Sequence, residues 1–192
     1  MIPYQRIEYL ESTGTQYINT GVIVDINTVV EGRFALTRYF SDNPLFAQDA
    51  GSYNNRAFSF TNQASRPGTY VAVVVGDELT FIRENVISYY AFFSILADKE
   101  KAIVNGVTFP YSQVPSDFVA NYPLYLMAWN RAGNTIIYGE EKCSYFKIAK
   151  DNQTIMELYP VRIGQVGYMY DTISSQLLGN AGTGDFVLGP DI

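Results

Sequence analysis

The sequence contains no histidine. That removes Ser-His-Asp and Cys-His catalysis and most catalytic zinc sites, which draw on imidazole as base or ligand. Cysteine occurs once, at Cys143, so no disulfide can close within the chain. With no histidine partner, Cys143 reads as a packing residue, the usual habit of a free thiol. A basic excess is missing as well: 13 Lys and Arg stand against 19 Asp and Glu, a formal charge of -6. Phosphate backbones attract basic surfaces, so no nucleic-acid partner is expected. Long apolar runs are absent. Tyr70 to Val75 is among the longest, whereas a membrane-spanning helix needs about twenty apolar residues. No membrane insertion is expected. The N-terminus has no basic segment followed by an apolar one, so no secretory signal is read and cytoplasmic synthesis is expected. Internal repeats, heptads, low-complexity tracts and linkers are also lacking.

What is present points to strands. Hydrophobic residues make up 47% of the 192, and 16 Tyr and 12 Phe are among them. That is enough to build a sizeable core, and aromatic residues favour pleated, half-buried surfaces. The length suits a single all-β domain over residues 1–192.

The clearest alternation lies in the last quarter of the chain. Phe146 and Ile148 share one parity, and Tyr145 and Lys147 the other. Lys150 to Gln153 supplies turn formers, and Ile155 to Ile163 alternates again. The spacing predicts a hairpin in the middle of a sheet. Beyond it, Gly164, Gly167, Gly179, Gly182, Gly184 and Gly189 separate short apolar pieces. Such a segment must be held by strands from elsewhere, and the N-terminal strand Ile7 to Leu10 is the expected partner of Asp185 to Leu188. Upstream, Thr28 to Thr37 reads as a strand with a bulge at Gly32. Ser41 to Pro44 reads as a loop. Leu45 to Ala47 and Ala57 to Phe60 read as strands flanking the polar loop Gln48 to Arg56. Gly76-Asp77 predicts a type II′ hairpin, and Asn105-Gly106 between β-branched residues predicts a type I′ hairpin. Tyr89 to Leu96 reads as a strand, and Pro110 to Asn121 as irregular chain with one helical turn started by Ser116. Tyr122 to Trp129 reads as a continuous buried strand. Many short strands with closely spaced turns are the signature of a sandwich or jelly roll.

Tyr4 to Gly21 (YQRIEYLESTGTQYINTG) and Tyr170 to Pro190 (YDTISSQLLGNAGTGDFVLGP) carry a resemblance. YPLYLMAWN (Tyr122 to Asn130) and YFKIAKDNQTIMELYPVR lie between them, so it spans essentially the whole chain. Together they resemble a module found in gut Bacteroides and their tailed phages, similar to the concanavalin A-like (laminin-G-like) lectin/glucanase superfamily. The resemblance implies a two-sheet antiparallel β-sandwich, a concanavalin A-like jelly roll. It implies a non-enzymatic virion protein, a capsid decoration or fibre module made in the host cytoplasm. Such a protein would form an oligomer or symmetric array, with other capsid or tail proteins and host surface polysaccharide as partners. The alternative it implies is a lectin-like carbohydrate-binding module at the surface of a gut bacterium.

The residues themselves offer little chemistry. Retaining glycanases need two carboxylates roughly 5 Å apart, which on one strand means acids at i and i+2. Asp98 and Glu100 have that parity but read as a turn around Lys99. Asp77-Glu78 and Glu140-Glu141 are sequence neighbours and point to opposite faces. No enzymatic activity is expected. Asp42, Asn43, Asp49, Asn54 and Asn55 lie in loops that could gather around calcium, which takes six to eight oxygens. No spaced motif supports it, so turn formation is the simpler reading and no metal or cofactor is expected. Gly179 to Gly184 has no lysine and no following helix, so it is no phosphate loop. Trp129, Asn130 and Arg131, with Tyr53, Asn55 and Arg56, remain as candidate sugar-contacting residues. Rings stack on sugar faces, and amides and guanidinium groups pair with hydroxyls. The competing reading for Trp129 is the core.

Overall fold

The computed structural model describes residues 4–38, 41–51, 57–63, 70–82, 86–113 and 115–192, and all regular structure among them is β. In chain order the strands are β1 (Gln5–Arg6), β2 (Leu10–Glu11), β3 (Ile18–Asn19), β4 (Thr28–Leu36), β5 (Ser41–Asp49) and β6 (Ala57–Gln63). Then come β7 (Tyr70–Gly76), β8 (Glu78–Ile82), β9 (Phe93–Ala97), β10 (Lys101–Val104), β11 (Val107–Pro110), β12 (Tyr125–Leu126) and β13 (Ala128–Arg131). The rest are β14 (Asn134–Tyr138), β15 (Glu141–Lys150), β16 (Gln153–Ile163), β17 (Val166–Asp171), β18 (Gln176–Leu178) and β19 (Val187–Leu188).

They form two sheets. The larger runs β11-β10-β9-β4-β15-β16-β17-β18, with β1, β2 and β19 attached. The smaller runs β14-β13-β5-β6-β7-β8, with β3 and β12 attached. The chain is therefore an all-β two-sheet sandwich. Among the described residues its strand pairings are antiparallel except between β13 and β5. The core lies between the sheets, where Phe146 of the larger sheet, packed against Phe34, meets Phe46 of the smaller. Phe46 and Phe146 have ring centroids 5.8 Å apart, and Phe46 also contacts Phe58 and Phe60. Each buried Phe contributes about 1.5–3 kcal/mol.

The alternation in the last quarter does what its period requires. β15 and β16 form the expected central hairpin, with Phe146 opposite Leu158 and Ile148 opposite Met156, all buried. Past that shared stretch the two strands part. Leu10 and Glu11 then pair with Cys143 and Lys142 of β15, while Gln5 and Arg6 pair with Arg162 and Val161 of β16. The N-terminal segment thus fills the gap between them. Leu188 and Val187 pair in turn with Leu10 and Glu11, and Ile7 bridges to Asp191. The expected meeting of the two ends is observed, but Ile7 to Leu10 is not one strand: Ile7 to Tyr9 is the break between β1 and β2, which serve different partners.

Both predicted tight turns form. Gly76 has φ +65° with Val75 opposite Glu78. Asn105 and Gly106 have φ +49° and +81° between Val104 and Val107.

Other expectations are corrected. Gly32 is not a bulge; its missing side chain leaves room for the Phe34 ring, and the register shift lies on β15 between Cys143 and Tyr145. Ser41 to Pro44 is the start of β5 rather than a loop, with register shifts on both sides that accommodate Pro44, which cannot donate to a ladder. Only the end of Tyr89 to Leu96 is strand, because Tyr90 takes φ +65° and turns the chain. Ser116 starts no helical turn and instead bonds to the Asp77 carboxylate. The run Tyr122 to Trp129 is broken at Met127, φ +64°. The reversal there is what makes β13 parallel to β5.

Candidate functional site

Of the residues singled out in the sequence, Tyr53, Asn55 and Arg56 lie outside the described residues, as does Asn54. Trp129, Asn130 and Arg131 are built into the fold. Trp129 is 1% exposed. Its Nε1 donates to Asp49 Oδ2 at 2.7 Å, and Arg131 Nε donates to the same carboxylate at 3.0 Å. The Arg131 guanidinium lies over the indole, 5.2 Å from its centroid. Asn130 holds the local turn, donating to the Pro123 carbonyl and accepting from Gly133 N–H. The indole face is covered, so it offers no stacking surface. Asp49 and Asn43, considered above for calcium, are also occupied: Asn43 exchanges hydrogen bonds with the Glu140 backbone.

Asp98 Oδ1 accepts from the backbone N–H of Glu100 and Lys101, which is the turn the sequence suggested. Cys143 is fully buried, and burial pushes its thiol well above the usual range. Among the described residues no group of three or more His, Cys, Asp or Glu side chains gathers at metal-binding distance. An open cleft of about 240 Å³ lies at one end of the sandwich, lined by Asn27, Asp98, Lys99, Glu100, Asp151 and Asn152 among others. None of its described lining residues is aromatic.

The outer face of the larger sheet is different. On β4, β15 and β16, the positions between buried ones carry Glu31 and Arg33, Tyr145 and Lys147, and Glu157 and Tyr159. Arg33 stands opposite Tyr145 across β4 and β15. Cross-strand partners lie within side-chain reach on one face. The Tyr145 and Tyr159 rings are 5.3 Å apart. The Arg6 guanidinium covers Tyr159 at 4.7 Å. On the other side Arg33 covers Phe92 at 4.5 Å. Phe92 meets Tyr9 at 6.0 Å, and Lys142 Nζ covers Tyr9 at 4.2 Å. Arg33 is exposed and the other six are partly exposed.

Polar groups fix this surface. Glu157 Oε1 accepts from both phenols, Tyr145 and Tyr159, at 3.4 and 3.3 Å, and Oε2 accepts from Thr172 at 2.8 Å. Lys147 pairs with Glu31 at 2.8 Å. Partial burial, reinforced by the Glu157 charge, raises both phenols above their ordinary value. They stay neutral, as ring faces with a donating hydroxyl. For Lys142, burial works against the charge, but the Tyr9 hydroxyl and nearby Glu11 outweigh it and the ammonium is held above its ordinary value. Chemically the face can stack rings and offer cations and hydroxyls; such groups bind and orient a ligand. Of these residues the sequence set apart only Tyr145 and Lys147, by their outward parity. The others carried a fainter signal: an aromatic or cationic residue next to a strongly apolar one, as in Tyr9-Leu10, Arg33-Phe34, Phe92-Phe93 and Leu158-Tyr159.

No family model and no curated protein matches this sequence. Solved structures do resemble it. One, from Bacteroides ovatus and assigned as a carbohydrate binding protein, aligns with a TM-score of 0.66 over 96% of this chain at 11% identity. The chain spans 60% of that protein's length. A second is the CBM40 module of a Ruminococcus gnavus IT-sialidase bound to α2,3-sialyllactose, with a TM-score of 0.51 and 11% identity. That alignment covers 71% of this chain and 88% of the module. At such identity the likeness is one of fold: the chain shares its β-sandwich with these two proteins.

Proposed function

We propose that this chain is a non-catalytic glycan-binding module acting at the surface of a gut bacterium. The observation that carries the reading is the band of rings and cations on the open face of the larger sheet. Sugars present apolar C–H faces that stack on aromatic rings and hydroxyls that pair with fixed polar groups. The two similar structures support it, since both are described by their carbohydrate binding. That likeness favours the lectin reading over a virion component. A binding role suits the carboxylates of the face as well. Glu31 is paired with Lys147, and Glu157 is held by two phenols and a hydroxyl, so both serve to fix the surface.

The test is affinity electrophoresis of the whole chain through gels containing a panel of neutral and acidic bacterial, plant and host polysaccharides. Retardation by at least one glycan is expected, with Tyr159→Ala reducing it tenfold or more while the melting temperature stays close to wild type. A folded wild-type protein retarded by none of the panel would refute the proposal.

A further inference from the structure

We infer that the outer face carries two adjoining subsites for consecutive residues of an acidic polysaccharide, and that Arg33 is shared between them. This rests on the glycan-binding reading above and names the ligand class of that same face.

The band repeats. Lys142 bounds the ring pair Tyr9 and Phe92 on one side and Arg33 bounds it on the other, at 4.2 and 4.5 Å from the nearer ring. Arg33 is also the cross-strand neighbour of Tyr145. Tyr145 and Tyr159 form the second ring pair, closed by Arg6 at 4.7 Å. The order is cation, two rings, cation, two rings, cation. A surface that repeats in this way matches a ligand that repeats, and a linear polysaccharide does.

The charges select the acidic class. Arg38, Arg131 and Arg162 each have a carboxylate partner. Arg6 and Arg33 have none within 4 Å among the described residues, although the chain carries 19 acidic side chains. Among the described residues Arg33 makes one hydrogen bond, to the Ser144 hydroxyl at 3.4 Å, and the Arg6 guanidinium lies over the Tyr159 ring. Holding two guanidinium groups over rings and apart from carboxylates leaves their donors for an incoming oxyanion. A guanidinium receives carboxylate or sulfate through paired, charge-assisted hydrogen bonds. A neutral glycan offers them hydroxyls but no charge-assisted pair.

The test measures binding of the full chain to tetragalacturonate and its methyl ester, and to dextran sulfate and dextran, by calorimetry. Tighter binding of an acidic form than of its neutral counterpart, by tenfold or more, is expected. Galacturonate as the preferred probe would identify carboxylate as the oxyanion, and dextran sulfate would identify sulfate. Arg33→Gln is expected to weaken binding more than either Arg6→Gln or Lys142→Gln, because both subsites lose a wall. Arg38→Gln, the same charge change outside the band, should leave affinity unaltered. Digalacturonate is expected to bind at least tenfold more weakly than the tetramer if carboxylate is preferred. Equal binding of acidic and neutral forms, or an Arg33→Gln effect no larger than that of Arg38→Gln, would overturn the inference and leave the glycan-binding reading standing. Absence of binding to every glycan of the wider panel would remove both.

Discussion

Glu141 is fully buried at the start of β15, and neither carboxylate oxygen has a hydrogen-bond partner. Its carboxyl lies against Gly139, where a side chain would collide with it. Burial raises its pKa well above the ordinary carboxyl value; the neighbouring Asn43 amide opposes this and the Glu140 charge adds to it. The folded protein therefore keeps this proton when the unfolded chain has already released it. The stability this group contributes is complete below the ordinary value of about 4.3. It is lost as pH rises from there toward the folded value, at up to about 1.4 kcal/mol per pH unit. Glu141→Gln, which mimics the protonated form, is expected to melt above wild type at pH 7. The gap should close as pH falls below 4.3. Melting curves across pH check this, and parallel pH profiles for the two proteins would count against a buried neutral acid. Asp49 shows the opposite solution: its carboxylate is also fully buried, but the Trp129 indole and the Arg131 guanidinium satisfy it.

At the scale of elements, the β10–β11 hairpin isolates one local rule. Asn105 and Gly106 both occupy the left-handed region, and nothing lies within 4 Å of the place where a side chain on Gly106 would project. Gly106→Val therefore tests backbone strain without a clash. It should destabilise by roughly 1–3 kcal/mol, the range for a residue forced into that region, as read from denaturant midpoints. Because β11 is the edge of the larger sheet, amide exchange should rise first along Lys101 to Pro110. An unchanged midpoint would contradict the strain. The central hairpin β15–β16 is different: its register is set by which residues must be buried, since a shift of one position would turn Phe146, Ile148 and Leu158 outward.

At the scale of the molecule, the two chain ends are one structural unit. Glu8 N–H donates to Pro190, Gly189 N–H to Tyr9, Ile192 N–H to Arg6 and Thr183 N–H to Thr15. Gly182 passes so close to the Thr15 carbonyl that no side chain would fit between them, and Gly167 makes room for Leu10 and Leu188 in the same way. Phe186 is buried in the core. Removing Gly184 to Ile192 takes away β19 and Phe186 together and uncovers β2, which adjoins Tyr9 of the proposed binding face. Loss of a cooperative thermal transition is expected for the truncated chain. A truncated chain that melted like the full one would show that the ends are not coupled.

The sequence by itself determined the all-β class, the central hairpin, the two tight turns and the joining of the ends. The hairpin and the turns are local or written in a period of two, and the joining of the ends follows from a glycine-rich segment that cannot hold itself up. A turn such as Asn105-Gly106 is decided by the steric freedom of two residues, and an alternating strand by which side chains water excludes. Only the tertiary structure decided the fate of the outward-facing residues. From the sequence Trp129 reads either as core or as a ligand platform; in the fold it is buried, and Asp49, 80 residues away, accepts from its indole nitrogen. The surface band gathers residues from Arg6 to Tyr159. Their outward parity is visible in the sequence, but nothing in the spacing says which strands become neighbours. That choice belongs to the core between the sheets, which fixes the strand order and so brings Arg33 beside Tyr145.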